Sequence, residues 1–329
     1  MAHLVTDKGL LSLPNELLIH ILNSLPTPDL LPLTTVAHRF YAVILRIVHN
    51  RLIAAANLHE QDHTLLLECY HPSAKLTEPP LYCRYLGTDG LDVPDPDFDE
   101  ADLVGRLGYL RNRYSRFRPY RKGPEAYSAR TRPGDIPGSR THPSSSAPQY
   151  TGGGYNDDEL VRQVLSLDSE ERFTQLCAVI NLIKLGPRNG LFRSFVEVED
   201  SVLRVFRDWL RKVALPTANQ LPDLQAASGE STSEKGKETQ SDEEMADGKR
   251  LLWVSPAKNV GLKFRVRQRR LRRDTPILIL ADEETAVSYD IEYEELLVRT
   301  SHLLLTFENS LLDQDNQPGR RAVVFGSFG

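Results

Sequence analysis

The sequence predicts an α+β protein: an N-terminal three-helix unit followed by a mainly antiparallel, β-sandwich-like domain with disordered insertions. Three observations predict it. Apolar residues recur at helical spacing between Leu13 and Val48, and beyond them the period shortens to alternation, as in Leu262, Phe264 and Val266 against Lys263, Arg265 and Arg267. Two long stretches, Pro119 to Gly154 and Pro216 to Gly248, are rich in Pro, Ser, Gly or charge and hold too few apolar residues to join a core.

The first helix is announced by Ser12 and Pro14, since proline's missing N–H costs nothing in a first turn, and its expected stripe is Leu17, Ile21 and Leu25. Pro26 ends it. Thr27, Pro28 and Asp29 restart a short second helix with Leu30, Leu31 and Leu33 on its apolar side. The third helix has the stripe Val36, Phe40, Val43 or Ile44, Ile47 and Val48, with His38, Arg39 and Arg46 off it.

Strands are expected at Thr64 to Cys69, Leu81 to Leu86, Leu191 to Val198, Val260 to Val266, Pro276 to Leu280, Val287 to Tyr293 and His302 to Phe307. Each is short, β-branched or aromatic, and bounded by Gly, Pro, Asp or Asn. Phe173 to Leu185 reads as a strand or a buried helix, with strand preferred, and Val202 to Val213 fits a helix nearly as well as a strand. The chain thus divides into a helical module at 9–53, a C-terminal domain contributed by 60–118, 155–215 and 251–329, a disordered insertion at 119–154 and a disordered acidic linker at 216–250.

Composition narrows the function classes. With 329 residues and a net charge of -5, the chain has no global basic field for neutralising phosphates, so nucleic acid is not the expected partner. Three cysteines without CxxC spacing indicate neither a disulfide framework nor a zinc site, and they point to a reducing compartment, cytoplasm or nucleus. Asn15, Glu16 and His20 interrupt the only apolar run near the N-terminus, so no export signal is expected, and no run is long enough for a bilayer-spanning helix. No P-loop, GxSxG, HExxH or dinucleotide fingerprint occurs, so neither catalysis nor a cofactor is expected.

The run Leu13-Pro14-Asn15-Glu16-Leu17-Leu18, continued by Ile21, Leu22 and Leu25-Pro26, then by Asp29-Leu30-Leu31, Leu33, Val36, Arg39, Phe40 and Tyr41, closely resembles the F-box. It departs from that pattern in lacking the frequent tryptophan near the end of the third helix and in carrying Ala37 where polar residues or Cys are common. The resemblance implies a non-catalytic substrate receptor of a Skp–cullin–F-box ubiquitin ligase. Its Skp-type adaptor would be bound by residues among Leu13, Pro14, Leu17, Ile21, Leu22, Leu25, Leu30, Leu31 and Val36, and the adaptor would connect it to a cullin. A three-helix unit this short also buries too little surface to stand alone, so its remaining apolar side calls for a partner. Which of the nine leucine-like positions pack inside and which face the adaptor is open at this level.

The C-terminal part, through Phe195 to Val198, Leu251 to Pro256, Val260 to Val266 and Tyr289 to Tyr293, is loosely similar to the lectin-like sandwich of plant F-box proteins related to phloem lectins. With the stretch Leu65 to Pro72, the whole arrangement also resembles a group of filamentous-fungal F-box proteins. Candidate substrate-binding residues are Trp253, Tyr289, Tyr293, Arg269 and Arg270, because aromatic groups beside arginines suit an acidic peptide or a sugar ring; a protein ligand ranks first. The basic run Lys263 to Arg273 suits an acidic or phosphorylated substrate, a nuclear signal or nucleic acid, but a solvated sheet face running into a basic turn is preferred; the segment Tyr109 to Arg118 suggests RNA stacking and is explained as well by a short amphipathic helix with Leu103, Leu107 and Leu110. Ser241, ahead of Asp242, Glu243 and Glu244, has the context of an acid-directed phosphorylation site. The alternative function is a carbohydrate-binding or scaffold protein whose N-terminal helices are structural.

Overall fold

Three prolines punctuate the N-terminal helices. Pro14 precedes α1 (Asn15–Leu22), Pro26 precedes α2 (Thr27–Leu33), and Pro32 falls in the last turn of α2 before α3 (His38–Ala56) begins. The computed structural model describes residues 10–74, 78–91, 105–121, 160–186, 191–214, 250–269, 285–316 and 323–324. Leu18 and Leu22 of α1 and Leu30 of α2 are buried with Phe40, Ile44, Ile47 and Val48 of α3 in one apolar cluster.

The stripe expected on α1 is therefore rotated. Leu17 and Ile21 face outward, Leu25 is half-buried, and the neighbouring pair Leu18 and Leu22 makes the core. Both pairs have four-residue spacing, so periodicity cannot separate them. Val36, expected in the stripe of α3, lies before the helix and is exposed.

The sheet is built from β1 (His63–Tyr70), β2 (Leu81–Thr88), β3 (Tyr114–Tyr120), β4 (Arg162–Leu167), β5 (Phe173–Leu185), β6 (Leu191–Phe206), β7 (Leu251–Trp253), β8 (Val260–Arg269), β9 (Val287–Arg299) and β10 (Val323–Val324). A short α4 (Arg106–Arg111) precedes β3, α5 (Arg207–Val213) follows β6, and α6 (Thr300–Asn316) follows β9. All pairings are antiparallel in the order β10-β6-β5-β1-β2-β3-β9-β8-β7, with β4 beside the first half of β9 and β3 beside the second. The α+β division stands as expected. The sandwich-like core arises from one continuous ladder: Leu176, Ile180 and Val205 from one end share an apolar cluster with Val260, Phe264 and Val298 from the other. Bulges at Ile180/Asn181, Tyr85/Gly87 and Lys263/Phe264 supply the local bending that lets a sheet curl over itself.

Several sequence expectations are corrected. His302 to Phe307 belongs to α6, because Leu303, Leu304 and Phe307 repeat at helical spacing once the whole element is in view: Leu303 and Phe307 enter the core of the sheet, and Leu304 enters that of the helical module. Tyr109 to Arg118 is split between the end of α4 and the strand β3, whose alternation buries Ser115, Phe117 and Pro119. Pro119 and Tyr120, assigned to an insertion, pair with Cys83 and Tyr82 in the sheet. Phe173 to Leu185 is a strand, and 202–213 divides at Phe206 into strand and helix. Pro276 to Leu280, Ser241, the linker up to 249 and the insertion from 122 to 154 lie outside the described residues.

A buried chain of hydroxyls fixes the start of α6: Thr88 Oγ1 lies 2.8 Å from Ser115 Oγ, which lies 3.0 Å from Thr300 Oγ1. Among the described residues no helix is long and apolar enough to cross a membrane, and no group of His, Cys, Asp and Glu is placed to hold a metal ion.

Candidate functional site

The helical module sorts its apolar residues into two sets. Leu18, Leu22 and Leu30 are inside it, with exposures of 0%, 4% and 0%, while Leu17, Ile21, Leu31 and Val36 stand 49%, 46%, 42% and 64% exposed. Leu10, in the short turn before α1, adds a further exposed leucine. Leu13 and Leu25 are half-buried and Pro14 is exposed. Among the described residues, nothing covers these five large apolar side chains between Leu10 and Val36, and such exposed apolar groups mark a docking face. Of the nine residues named from sequence, Leu22 and Leu30 are thus packing residues, and the other seven reach the surface wholly or in part. Leu10 was missed, although its position just ahead of Leu13-Pro14 in an apolar run was a usable signal.

The module is held rigidly. Arg39 donates to Asn15 Oδ1 at 2.9 Å and to the Leu13 carbonyl, anchoring the entry to α1 on α3. Arg51 of α3 donates to the carbonyl of Leu25 at 2.7 Å, to that of Asn23 at 3.0 Å and to Thr27 Oγ1 at 2.9 Å. Glu308 of α6 accepts from Arg51 at 3.0 Å, from Thr27 Oγ1 at 2.6 Å and from the Thr27 backbone N–H at 3.1 Å. A carboxylate is placed there at the open N-terminus of α2, where free N–H groups and the helix dipole favour negative charge. Beside this network a cleft of about 330 Å³ is lined by Leu25, Pro26, Leu304, Phe307, Leu311 and Leu312.

The candidate substrate residues are not brought together. Tyr289 and Tyr293 are 1% and 2% exposed in the core of the sheet, and the Tyr293 hydroxyl donates to Gln163 Oε1 at 2.6 Å. Burial raises the Tyr293 hydroxyl well above its ordinary pKa, so it remains a neutral donor. Neither tyrosine offers a surface to a ligand: alternation along β9 sends both inward. Trp253 lies on the outer side of β7, packed 5.3 Å from the Tyr114 ring. Arg269 is exposed at the end of β8, and Arg270 lies outside the described residues. Farther back along β8, Arg265 is held by Glu294 at 2.8 Å and Glu292 at 3.7 Å, so its charge is neutralised within the sheet.

The three cysteines are free thiols, with Cys69 and Cys83 buried. Burial pushes the Cys69 thiol up to about 12 and raises Cys83 as well, which removes both from thiolate chemistry.

The three-helix module is joined to a β domain and, among the described residues, keeps a set of exposed leucine-like side chains. Residues 10–52 match the family model described as F-box-like. The chain carries an F-box-like domain there, at the segment that bears the exposed leucines. No curated protein and no solved structure matches the chain, so the lectin-like and fungal resemblances gain no support from those comparisons.

Proposed function

We propose that this chain is the substrate-recognition subunit of a Skp–cullin–F-box ubiquitin ligase, with no catalytic step of its own. The observation that carries the reading is the coincidence of the F-box-like match at 10–52 with the row of exposed apolar residues in the same segment. Leu17, Ile21, Leu31 and Val36, with the half-buried Leu13 and Leu25 and the exposed Pro14, form the face offered to a Skp-type adaptor, which in turn holds the cullin. The β domain receives the protein to be modified. Its contribution to ubiquitin transfer is proximity, since holding a lysine near the charged enzyme replaces a bimolecular encounter with one of high effective concentration. The buried thiols fit a chain that works in a reducing compartment, the cytoplasm or nucleus.

The test is affinity purification of the full chain from cells, read by mass spectrometry, with the wild type beside Leu17→Asp combined with Ile21→Asp. Capture of a Skp-type adaptor and a cullin by the wild type, and their loss from a double variant of unchanged circular dichroism, is the expected result. A folded wild-type chain that captures no such adaptor overturns the proposal.

A further inference from the structure

Most of the outer edge of β6 has no neighbouring strand among the described residues. β5 pairs with it from Phe206 back to Phe192, whereas β10 covers only Phe192 and Leu191 on the other side. The Arg207 N–H donates to the Arg172 carbonyl at 2.9 Å, in line with the register of β5 on β6. Hydrogen bonding alternates along an antiparallel pair, so Ser201, Leu203 and Val205 also direct their N–H and C=O groups to β5. Asp200, Val202, Arg204 and Phe206 therefore direct theirs to the open side, and such a row of unpaired backbone groups is a template for another strand.

The same four residues carry exposed side chains. Leu203 and Val205 are buried in the core of the sheet, while Val202 and Phe206 are each 52% exposed. Phe173, opposite Phe206 with ring centres 5.7 Å apart, extends the apolar strip onto β5. Edge strands in water are commonly guarded by charge, and Asp200 and Arg204 hold that place here. Among the described residues neither has an ion pair: the Arg204 guanidinium lies 5.6 Å from the Phe173 ring centre, and the charged residue in the row of Asp200, beyond Val179, is Glu68, of the same sign. Four residues apart on one strand, the two charges are separated by about 13 Å of backbone and do not pair with each other.

We propose that a second copy of this chain docks on this edge, β6 against β6 in antiparallel sense about a two-fold axis through Val202. That axis sets Asp200 opposite Arg204 of the partner subunit and Arg204 opposite the partner's Asp200, so two complementary cross-strand pairs form at once. Centring the axis on Asp200 or on Arg204 sets like charges against each other, and centring it on Ser201 or Leu203 sets both charges opposite apolar side chains. The backbone agrees with the charge, because Val202 is one of the residues whose N–H and C=O face the edge, and across the axis they meet the same groups of the partner. An unrelated extended peptide can use the open amides as well. One anion and one cation placed evenly about an apolar centre are self-complementary under a two-fold axis, which favours a second copy.

Sedimentation velocity of the full chain over a range of concentrations tests the assignment. The wild type is expected to pass from monomer to dimer as concentration rises. Asp200→Arg and Arg204→Asp are each expected to weaken dimerisation on the order of tenfold or more, because either one sets like charges opposite each other at both pairs. Asp200→Arg combined with Arg204→Asp is expected to restore it, since the reversed pairs are again complementary across the axis. No contact within one chain predicts that rescue. Should the double reversal fold poorly by near-ultraviolet circular dichroism, two further measurements carry the same expectation. Val202→Lys, which sets two ammonium groups at the axis, should abolish the dimer, and hydrogen exchange at the wild-type Val202 and Arg204 amides should slow as concentration rises. A wild type that stays monomeric at every concentration, a dimer indifferent to either single reversal, or a folded double reversal that stays monomeric overturns the assignment.

Discussion

Glu308 of α6 and Arg51 of α3 meet at 3.0 Å although 257 positions separate them, and their contact ties the F-box-like segment to the helix that follows the last long strand. Both side chains are 16% exposed, so this ion pair lies between the surface and buried cases and is supported by Thr27 on two bonds. Through it α6 touches both cores, with Leu304 on the module and Phe307 on the sheet.

Removing that carboxylate should loosen the junction. Glu308→Ala leaves the Thr27 N–H and the Arg51 guanidinium without their shared acceptor, and about 1–3 kcal/mol of stability should be lost in urea unfolding. Hydrogen exchange should rise at the start of α2 in the same variant. Unchanged protection there would show that the contact does not hold the two parts together.

The two leucine sets make opposite predictions from adjacent residues. Leu18→Ala removes a fully buried side chain and should cost about 2–5 kcal/mol of folding stability. Leu17→Ala should change stability by no more than about 0.5 kcal/mol while weakening adaptor recovery, since its side chain is half in water. Thermal melts and copurification of the two variants side by side check this.

His63 is 2% exposed, its Nδ1 lies 2.7 Å from the Gln61 carbonyl oxygen, its Nε2 has no hydrogen-bond partner, and its ring meets Phe307 edge-on at 5.1 Å. Burial lowers its pKa below the ordinary 6.5, and the neighbouring Lys184 adds to this against the opposing pull of the Gln61 carbonyl. The unfolded chain then binds a proton at a higher pH than the folded one, so the stability difference is absent above 6.5 and accumulates against folding as pH falls from 6.5 towards the lower folded value. Denaturation midpoints measured from pH 8 down to pH 5 should fall, and His63→Leu should flatten that part of the profile.

Gly261 is required for steric reasons. A methyl group there would stand 2.9 Å from Leu251 Cδ1 and 3.0 Å from the Trp253 ring. Gly261→Ala should cost about 1–3 kcal/mol through overpacking and displace the indole, which the tryptophan fluorescence and near-ultraviolet dichroism report. A normal spectrum would mean that β7 shifts without cost.

What the sequence determined by itself was local. Pro14 and Pro26 dictate where helices begin, the alternation of Leu262, Phe264 and Val266 dictates a strand with one buried face, and the order of Leu-Pro-x-Glu and Asp-Leu-Leu carries the F-box likeness. Each depends on backbone sterics or on a period of a few residues, and those survive without knowledge of distant partners. Tertiary structure alone decided between Leu17 and Leu18, because both fit one helical period and only the placement of α3 selects the buried one. It also decided that His302 to Phe307 is helical: an apolar run of that length satisfies either geometry, and here it had to reach two cores at once. Tyr289 and Tyr293 looked like ligand-reading aromatics until the curl of the sheet turned their face inward, whereas Tyr114 and Trp253 were turned outward by the same pleat. The direction in which a strand's alternation points is set by what packs on it, and that partner lies far away in the chain.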